Sequence, residues 1–153
     1  MFGDLTEQGI EDVLKYQLLG HIGCYDNGKT FIVPICYAYD GNCIYARTYE
    51  GLKITMMRKN PNVCFQVEYL ESMGKWQSVI CWGLFEELND TIKRNKGLEV
   101  LQKRVAASLD DKNLRVSRYW PFSLYDSATV EGIIFCIHIR EKTGKFENTS
   151  LHN

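Results

Sequence analysis

The residues best suited to chemistry lie between Asn42 and Pro61, in the stretch NCIYARTYEGLKITMMRKNP. Cys43 to Thr48 alternates as a strand that runs into a polar turn carrying Arg47, Thr48 and Gly51. Lys53 then opens a short helix closed by Asn60-Pro61. A cation, a hydroxyl, a glycine and a lysine gathered at a helix start suit the holding of a phosphate. The first N–H groups of a helix and the positive end of its dipole favour an anion, and Arg and Lys add charge-assisted hydrogen bonds. Taken alone, the same stretch also reads as a solvated turn with surface cations.

Other chemistry is weakly represented. No Ser-His-Asp set, paired-carboxylate spacing or P-loop is recognisable. His21 begins a strand and His138 lies within one, and a lone strand histidine reads first as a structural residue. Trp82 and Tyr37 read as core or dimer aromatics. The six cysteines, at positions 24, 36, 43, 64, 81 and 136, contain no C-x-x-C pair and fall in apolar strand-like segments. That spacing suits neither a disulfide framework nor a zinc site. Buried, reduced thiols are expected, in a cytoplasmic compartment, and no metal.

The elements that must position the phosphate loop follow from pattern. Asp4 to Leu18 reads as a helix, with Asp4 and Glu7 at N-cap and N3 spacing and Ile10, Val13, Leu14 and Leu18 on one face. Ile22 to Tyr25 meets Phe31 to Tyr39 across Asp26-Asn27-Gly28, where Asn-Gly favours a tight hairpin. Asp40-Gly41 makes a second tight turn into the phosphate-loop strand, so three consecutive strands are expected as an antiparallel meander. Pro34 cannot donate to a ladder and calls for an edge or a bulge in the second strand.

Further strands are expected at Val63 to Leu70, Trp76 to Leu88 and Val130 to Glu141, with a polar loop from Glu71 to Lys75. Gly83 marks a bend or bulge of the kind that curls a sheet into a barrel. A helix is expected from Thr91 to Leu109, with Leu98, Leu101, Val105 and Leu109 on its buried stripe. Asp110 to Thr129 is a long connection whose aromatic centre, Arg118 to Phe122, suggests binding. The tally is about six strands and three helices.

The ordered set GHIGCYDNGKTFIVP, FIVPICYAYDGNCIY, the phosphate-loop stretch, NPNVCFQVE, KWQSVICWGLFEEL and IHIREKTGKFE resembles the pyridoxamine 5′-phosphate oxidase-like flavin-binding split-barrel superfamily. The branch it looks most like is that of the small nitroimidazole-resistance proteins. The resemblance runs from about Ile10 to Glu147. It implies a mainly β fold with flanking helices, an antiparallel split β-barrel of Greek-key type, as one FMN-binding domain over residues 1–153.

It also implies the site. The FMN phosphate would be held by Arg47, Thr48 and Lys53, and the polar edge of the ring by the main chain of Val33, Pro34, Ile35 and Cys36. Ser78, with Gln77 beside it, would contact the ring or ribityl chain. Trp120 and Arg118, placed by loop position, would come from the second subunit of a homodimer with FMN at the interface. Two departures stand out. Many relatives carry histidine where this chain has Arg47, and the vitamin-oxidase branch has a basic pair around the second strand where Phe31 and Cys36 stand here. That branch also ends in a basic, proline-containing substrate motif, whereas this chain ends TGKFENTSLHN, so pyridoxamine phosphate oxidation is not expected.

The implied activity is an FMN-dependent oxidoreductase that passes electrons from NAD(P)H to a small acceptor such as a nitroaromatic compound. The cofactor would carry the hard chemistry, so the lack of an obvious acid or base is no objection. A non-catalytic flavin- or haem-binding protein, for storage, sensing or scavenging, and a deazaflavin as ligand remain open. Composition narrows the partners. A hydrophobic content of 45%, a charged content of 24% and a net charge of −1 indicate a globular, soluble chain with no general attraction to nucleic acid or membrane. Neither a signal peptide nor a membrane span is visible.

Overall fold

Asn27 and Gly28 adopt left-handed φ values of 47° and 77°, the geometry of a tight two-residue turn. The hairpin they close joins β2 (Leu19–Asp26) to β3 (Lys29–Cys36) in full register from Leu19↔Cys36 to Asp26↔Lys29. The computed structural model describes residues 1–109 and 131–149, with side chains described at 1–105 and 131–149. Its other elements are β1 (Phe2–Asp4), α1 (Glu7–Tyr16), β4 (Ala38–Tyr39), β5 (Cys43–Thr48), α2 (Leu52–Lys59), β6 (Asn62–Ser72), β7 (Lys75–Glu87), α3 (Thr91–Leu109) and β8 (Ile133–Asn148).

All the described strands form one antiparallel, 8-stranded sheet in the order β3-β2-β6-β7-β8-β5-β4, with β1 added to β8. β3 and β4 are consecutive in the chain yet end opposite edges of this order, so the sheet curls round on itself and stays open where they meet. That is the expected split barrel, with the short strands β1 and β4 added to the six foreseen.

The expected three-strand meander is broken at one residue. The Asp40-Gly41 turn does pair β4 with β5, but β5 joins β8 rather than β3. At Tyr37 the chain crosses the opening of the barrel: its N–H donates to the Leu18 carbonyl and its hydroxyl to the Leu14 carbonyl at 2.7 Å, so the ring is buried as a plug. Pro34 lies in β3, at the end of the sheet, where a missing N–H costs no ladder bond on the free side.

The barrel interior holds Ile22, Phe65, Val67, Val79, Phe135 and Ile137, capped by Ile10, Val13 and Leu14 of α1 and by Ile54, Met56 and Met57 of α2. A second cluster lies on the outer face, where Leu98, Leu101 and Val105 of α3 cover Ala38, Tyr45 and Ile134. The Leu109 side chain falls outside the described set. Gly83 sits at the foreseen bulge: Trp82 pairs with Glu141 and Gly83 with Ile139, leaving Arg140 as the extra residue. A Cβ at Gly83 would come within 2.3 Å of the His138 carbonyl oxygen, so the close approach of the strands requires glycine there.

Helix α1 starts later than expected. Thr6, not Asp4, is the N-cap, its hydroxyl accepting from the Gly9 N–H at 3.1 Å. Asp4 is instead in β1, opposite Lys145 of a β8 that runs beyond the predicted Glu141, and the two side chains form an ion pair. Both Asp4 and Thr6 satisfy the capping rule locally, and pairing with β8 decides between them. The predicted loop from Glu71 to Lys75 shrinks to a turn at Met73 and Gly74, because β6 and β7 pair out to Ser72↔Lys75. No helix among the described residues is long and apolar enough to cross a membrane.

Candidate functional site

The start of α2 carries no side-chain cap. Its N-cap is Gly51, in extended backbone, and no acidic residue lies in the first turn. The helix therefore presents first-turn N–H groups that nothing in the side chains answers. Its three cations differ in what holds them. Arg58 is clamped by Glu50 and Glu87 at 2.9 and 2.7 Å, and Lys59 faces Asp26 at 3.9 Å. Lys53 has no carboxylate partner among the described residues. It is partly buried, and burial draws its pKa below the ordinary lysine range, opposed by its proximity to Cys24.

Arg47 and Thr48 are neighbours on β5 and so leave opposite faces of the sheet. Thr48 is buried toward the barrel interior, its hydroxyl donating weakly to the Tyr49 carbonyl at 3.4 Å. Arg47 leaves on the outer face. Its Nη2 donates to the Tyr49 hydroxyl at 3.0 Å and its guanidinium lies 5.4 Å from that ring's centroid, while Nε is buried with no hydrogen-bond partner among the described residues. The loop thus holds two cations that pair with no carboxylate among the described residues, since its own Glu50 is taken by Arg58, beside a helix start without a side-chain cap.

The remaining predicted residues are distributed along the sheet. In β3, Val33 and Ile35 turn toward the core while Pro34 and Cys36 turn outward, and the outer main-chain edge of this strand pairs with no other described strand. Ser78 stands on the outer face of β7, where its Oγ accepts from Gln66 Nε2 at 3.0 Å. Gln77, its neighbour, pairs with Tyr69 and Phe146. Trp120 and Arg118 lie outside the described residues.

A feature that sequence reasoning missed is a groove of about 480 Å³ on the outer face, floored by Gly23 and Cys64 and walled by Ile32, Trp82 and Arg140. Ile32 and Trp82 are 69% and 41% exposed, large apolar side chains that a strand facing water would not choose. Cys24 borders this groove, but its side chain packs in the barrel core, where it lies within electrostatic reach of Lys53. The signal was in the alternation. Ile80 and Trp82 fall between the buried Val79, Cys81 and Gly83, so β7 is apolar on both faces.

All six cysteines are free, and Cys36 and Cys64 are the two not fully buried. Titration with a thiol reagent is expected to return six thiols per chain in denaturant, while in the native state Cys36 and Cys64 react first. Native reaction of Cys81 at a comparable rate would contradict the packing, since burial pushes that thiol up to about 12.

The family model described as pyridoxamine 5′-phosphate oxidase matches residues 6–145. An uncharacterised protein of Rhizobium meliloti strain 1021 is 32% identical over 148 residues, covering 92% of each chain. Among solved structures, an FAD-binding protein from Mesorhizobium loti superposes with a TM-score of 0.74 at 25% identity, over 97% of this chain and 99% of that one. A candidate 5-nitroimidazole antibiotic resistance protein from Bacteroides thetaiotaomicron gives 0.71 at 20% identity, over 95% and 87%. A family match that spans all but the two ends of the chain, joined to a split barrel of the same shape, makes this protein a member of the pyridoxamine 5′-phosphate oxidase family.

Proposed function

We propose that the protein binds FMN and acts as an oxidoreductase that takes electrons from NAD(P)H and delivers them to a small acceptor, nitroaromatic compounds being the class favoured. The observation that carries the flavin reading is Lys53, a partly buried lysine with no carboxylate partner among the described residues, one residue inside an uncapped, acid-free helix start. A phosphate monoester supplies the missing negative charge. The FAD-binding Mesorhizobium loti relative supports a flavin, and the resistance protein from Bacteroides thetaiotaomicron supports the acceptor class.

In this reading Lys53 and the first N–H groups of α2 hold the phosphate, with Thr48 beneath and Arg47 at the flank. The free edge of β3, over Val33, Pro34, Ile35 and Cys36, orients the ring through main-chain contacts. Ser78, fixed by Gln66, meets the polar chain of the ligand. Ile32 and Trp82 exclude water from one side of the groove, and a second copy of the chain covers the rest, giving a homodimer in which Trp120 and Arg118 come from the partner. When bound, the flavin supplies the electron transfer.

The test is direct. Purified protein is expected to show a flavin absorption spectrum, to release FMN by mass, and to sediment as a dimer. NADH or NADPH should bleach the bound flavin without oxygen, and a nitroaromatic compound should restore its colour. Failure to bind any flavin would overturn the reading; binding without reduction by either nucleotide would remove the oxidoreductase and leave a carrier.

A further inference from the structure

We propose that Cys43, Cys136 and His138 form a binding site for a divalent cation of the zinc class, with Glu86 supplying the fourth ligand. The site is set by strand register. Cys43 lies directly opposite His138 across β5 and β8, and Glu86 lies opposite Cys136 across β7 and β8. Alternate residues share a face, so two thiols, an imidazole and a carboxylate project together from three neighbouring strands on the outer side of the sheet.

The distances suit a shared cation. Cys43 Sγ lies 3.4 Å from His138 Nδ1 and Cys136 Sγ lies 3.4 Å from Nε2. Glu86 Oε1 is 3.7 Å from the same Nε2, and the two sulfurs and the ring donor all fall within 4.8 Å of one another. With zinc–sulfur and zinc–nitrogen bonds of about 2.3 and 2.0–2.1 Å, tetrahedral ligand atoms stand roughly 3.5 Å apart. The two sulfurs and the ring are thus near that spacing; one imidazole nitrogen serves the cation, and the imidazole and the Glu86 carboxylate turn toward the sulfurs to complete the shell.

Charge and access point the same way. Asp40 and Glu86 both act electrostatically on the Cys136 sulfur, and at Cys43 the effect of Asp40 exceeds the opposing one of Lys96, so the charge around the buried thiols favours a cation. Lys93, 3.6 Å from Glu86, is the competitor that the metal would displace. The imidazole side chain is 50% exposed and gives a route from solvent to the buried sulfurs. Two sulfurs, one nitrogen and one oxygen make a borderline-soft donor set, which suits Zn²⁺ rather than Mg²⁺ or Ca²⁺. Each thiol binds as the thiolate, so two protons leave for every cation taken up.

The experiment uses the reduced protein, stripped by a chelator. It is titrated with Zn²⁺ against a chromophoric competitor and, separately, with Co²⁺, whose tetrahedral thiolate complexes absorb strongly in the visible and near ultraviolet. One Zn²⁺ per chain is expected, together with the cobalt bands. Cys43→Ser and Cys136→Ser should lose the thiolate band and bind zinc at least about 100-fold more weakly. Because those two positions are buried, His138→Gln at its half-exposed position is the safer variant for folding, and it should show a loss on the same order. His21→Gln, remote from the cluster, should match the wild type. Absence of stoichiometric zinc in the wild type, or an affinity unchanged by His138→Gln, would overturn the proposal.

Discussion

Lys53→Ala is expected to weaken FMN binding by roughly 10- to 150-fold, the equivalent of about 1.5–3 kcal/mol for one charge-assisted hydrogen bond. The side chain makes no ion pair with any described carboxylate, so its removal leaves the rest of the α2 network, Arg58 with Glu50 and Glu87, in place. Unfolding by urea should therefore be close to that of wild type. Riboflavin has the ring but no phosphate, and it should bind weakly and with the same affinity to both proteins. That indifference is what separates loss of a phosphate contact from damage to the barrel, which would weaken both ligands together. Lys53→Arg should recover part of the affinity, since the charge returns with a different donor geometry. Fluorescence quenching of each flavin on titration with protein reads all of these. Equal losses for FMN and riboflavin, or no loss for either, would make the Arg47–Lys53 loop a surface turn.

Phe65→Ala should lower the unfolding free energy by about 3–5 kcal/mol, a large share of the 5–15 kcal/mol that domains of this kind possess. The ring is fully buried in the first half of β6 and meets the Tyr37 ring edge-on, with centroids 4.8 Å apart. It also fills the space over Gly20, where an added Cβ would lie 2.1 Å from the ring. Because Gly20 has no side chain to move inward, the void left by truncation cannot collapse. The loss should therefore fall toward the upper end of the range. Phe65→Leu keeps most of the volume and should cost clearly less. Chemical denaturation with the m-value unchanged measures both, and a loss below about 1 kcal/mol for the alanine variant would show that the ring is not a structural keystone.

What could be read from the sequence was mostly local. The Asn27-Gly28 turn, the edge proline at Pro34, the bulge at Gly83 and the buried stripe of α3 through Val105 each depend on a few neighbouring residues. So does the helix start between Gly51 and Lys53. The misreadings arose where two local options tied and a distant strand chose between them. Asp4 could cap a helix or pair with Lys145, and β5 could follow β3 or cross to β8. The groove around Trp82 and the cluster of Cys43 with His138, 95 residues apart, exist only through register, which spacing along the chain does not reveal.

The placement of β8 has a consequence for how the molecule is made. This strand comes last of the eight, yet it lies in the interior of the sheet, pairing with β7 on one side and with β5 and β1 on the other. During synthesis, β2, β3, β6 and β7 can assemble as each emerges, but β5 has only its two-residue partner β4 until β8 arrives. At about 5–20 residues per second, the growing chain spends seconds with the edges of β5 and β7 unpaired and their apolar faces open. Long-range pairing of this kind is intrinsically slow to form. The nascent protein is thus most exposed to aggregation just before completion, and a chain cut short ahead of Ile133 loses the join between the two halves of its sheet rather than a terminal strand.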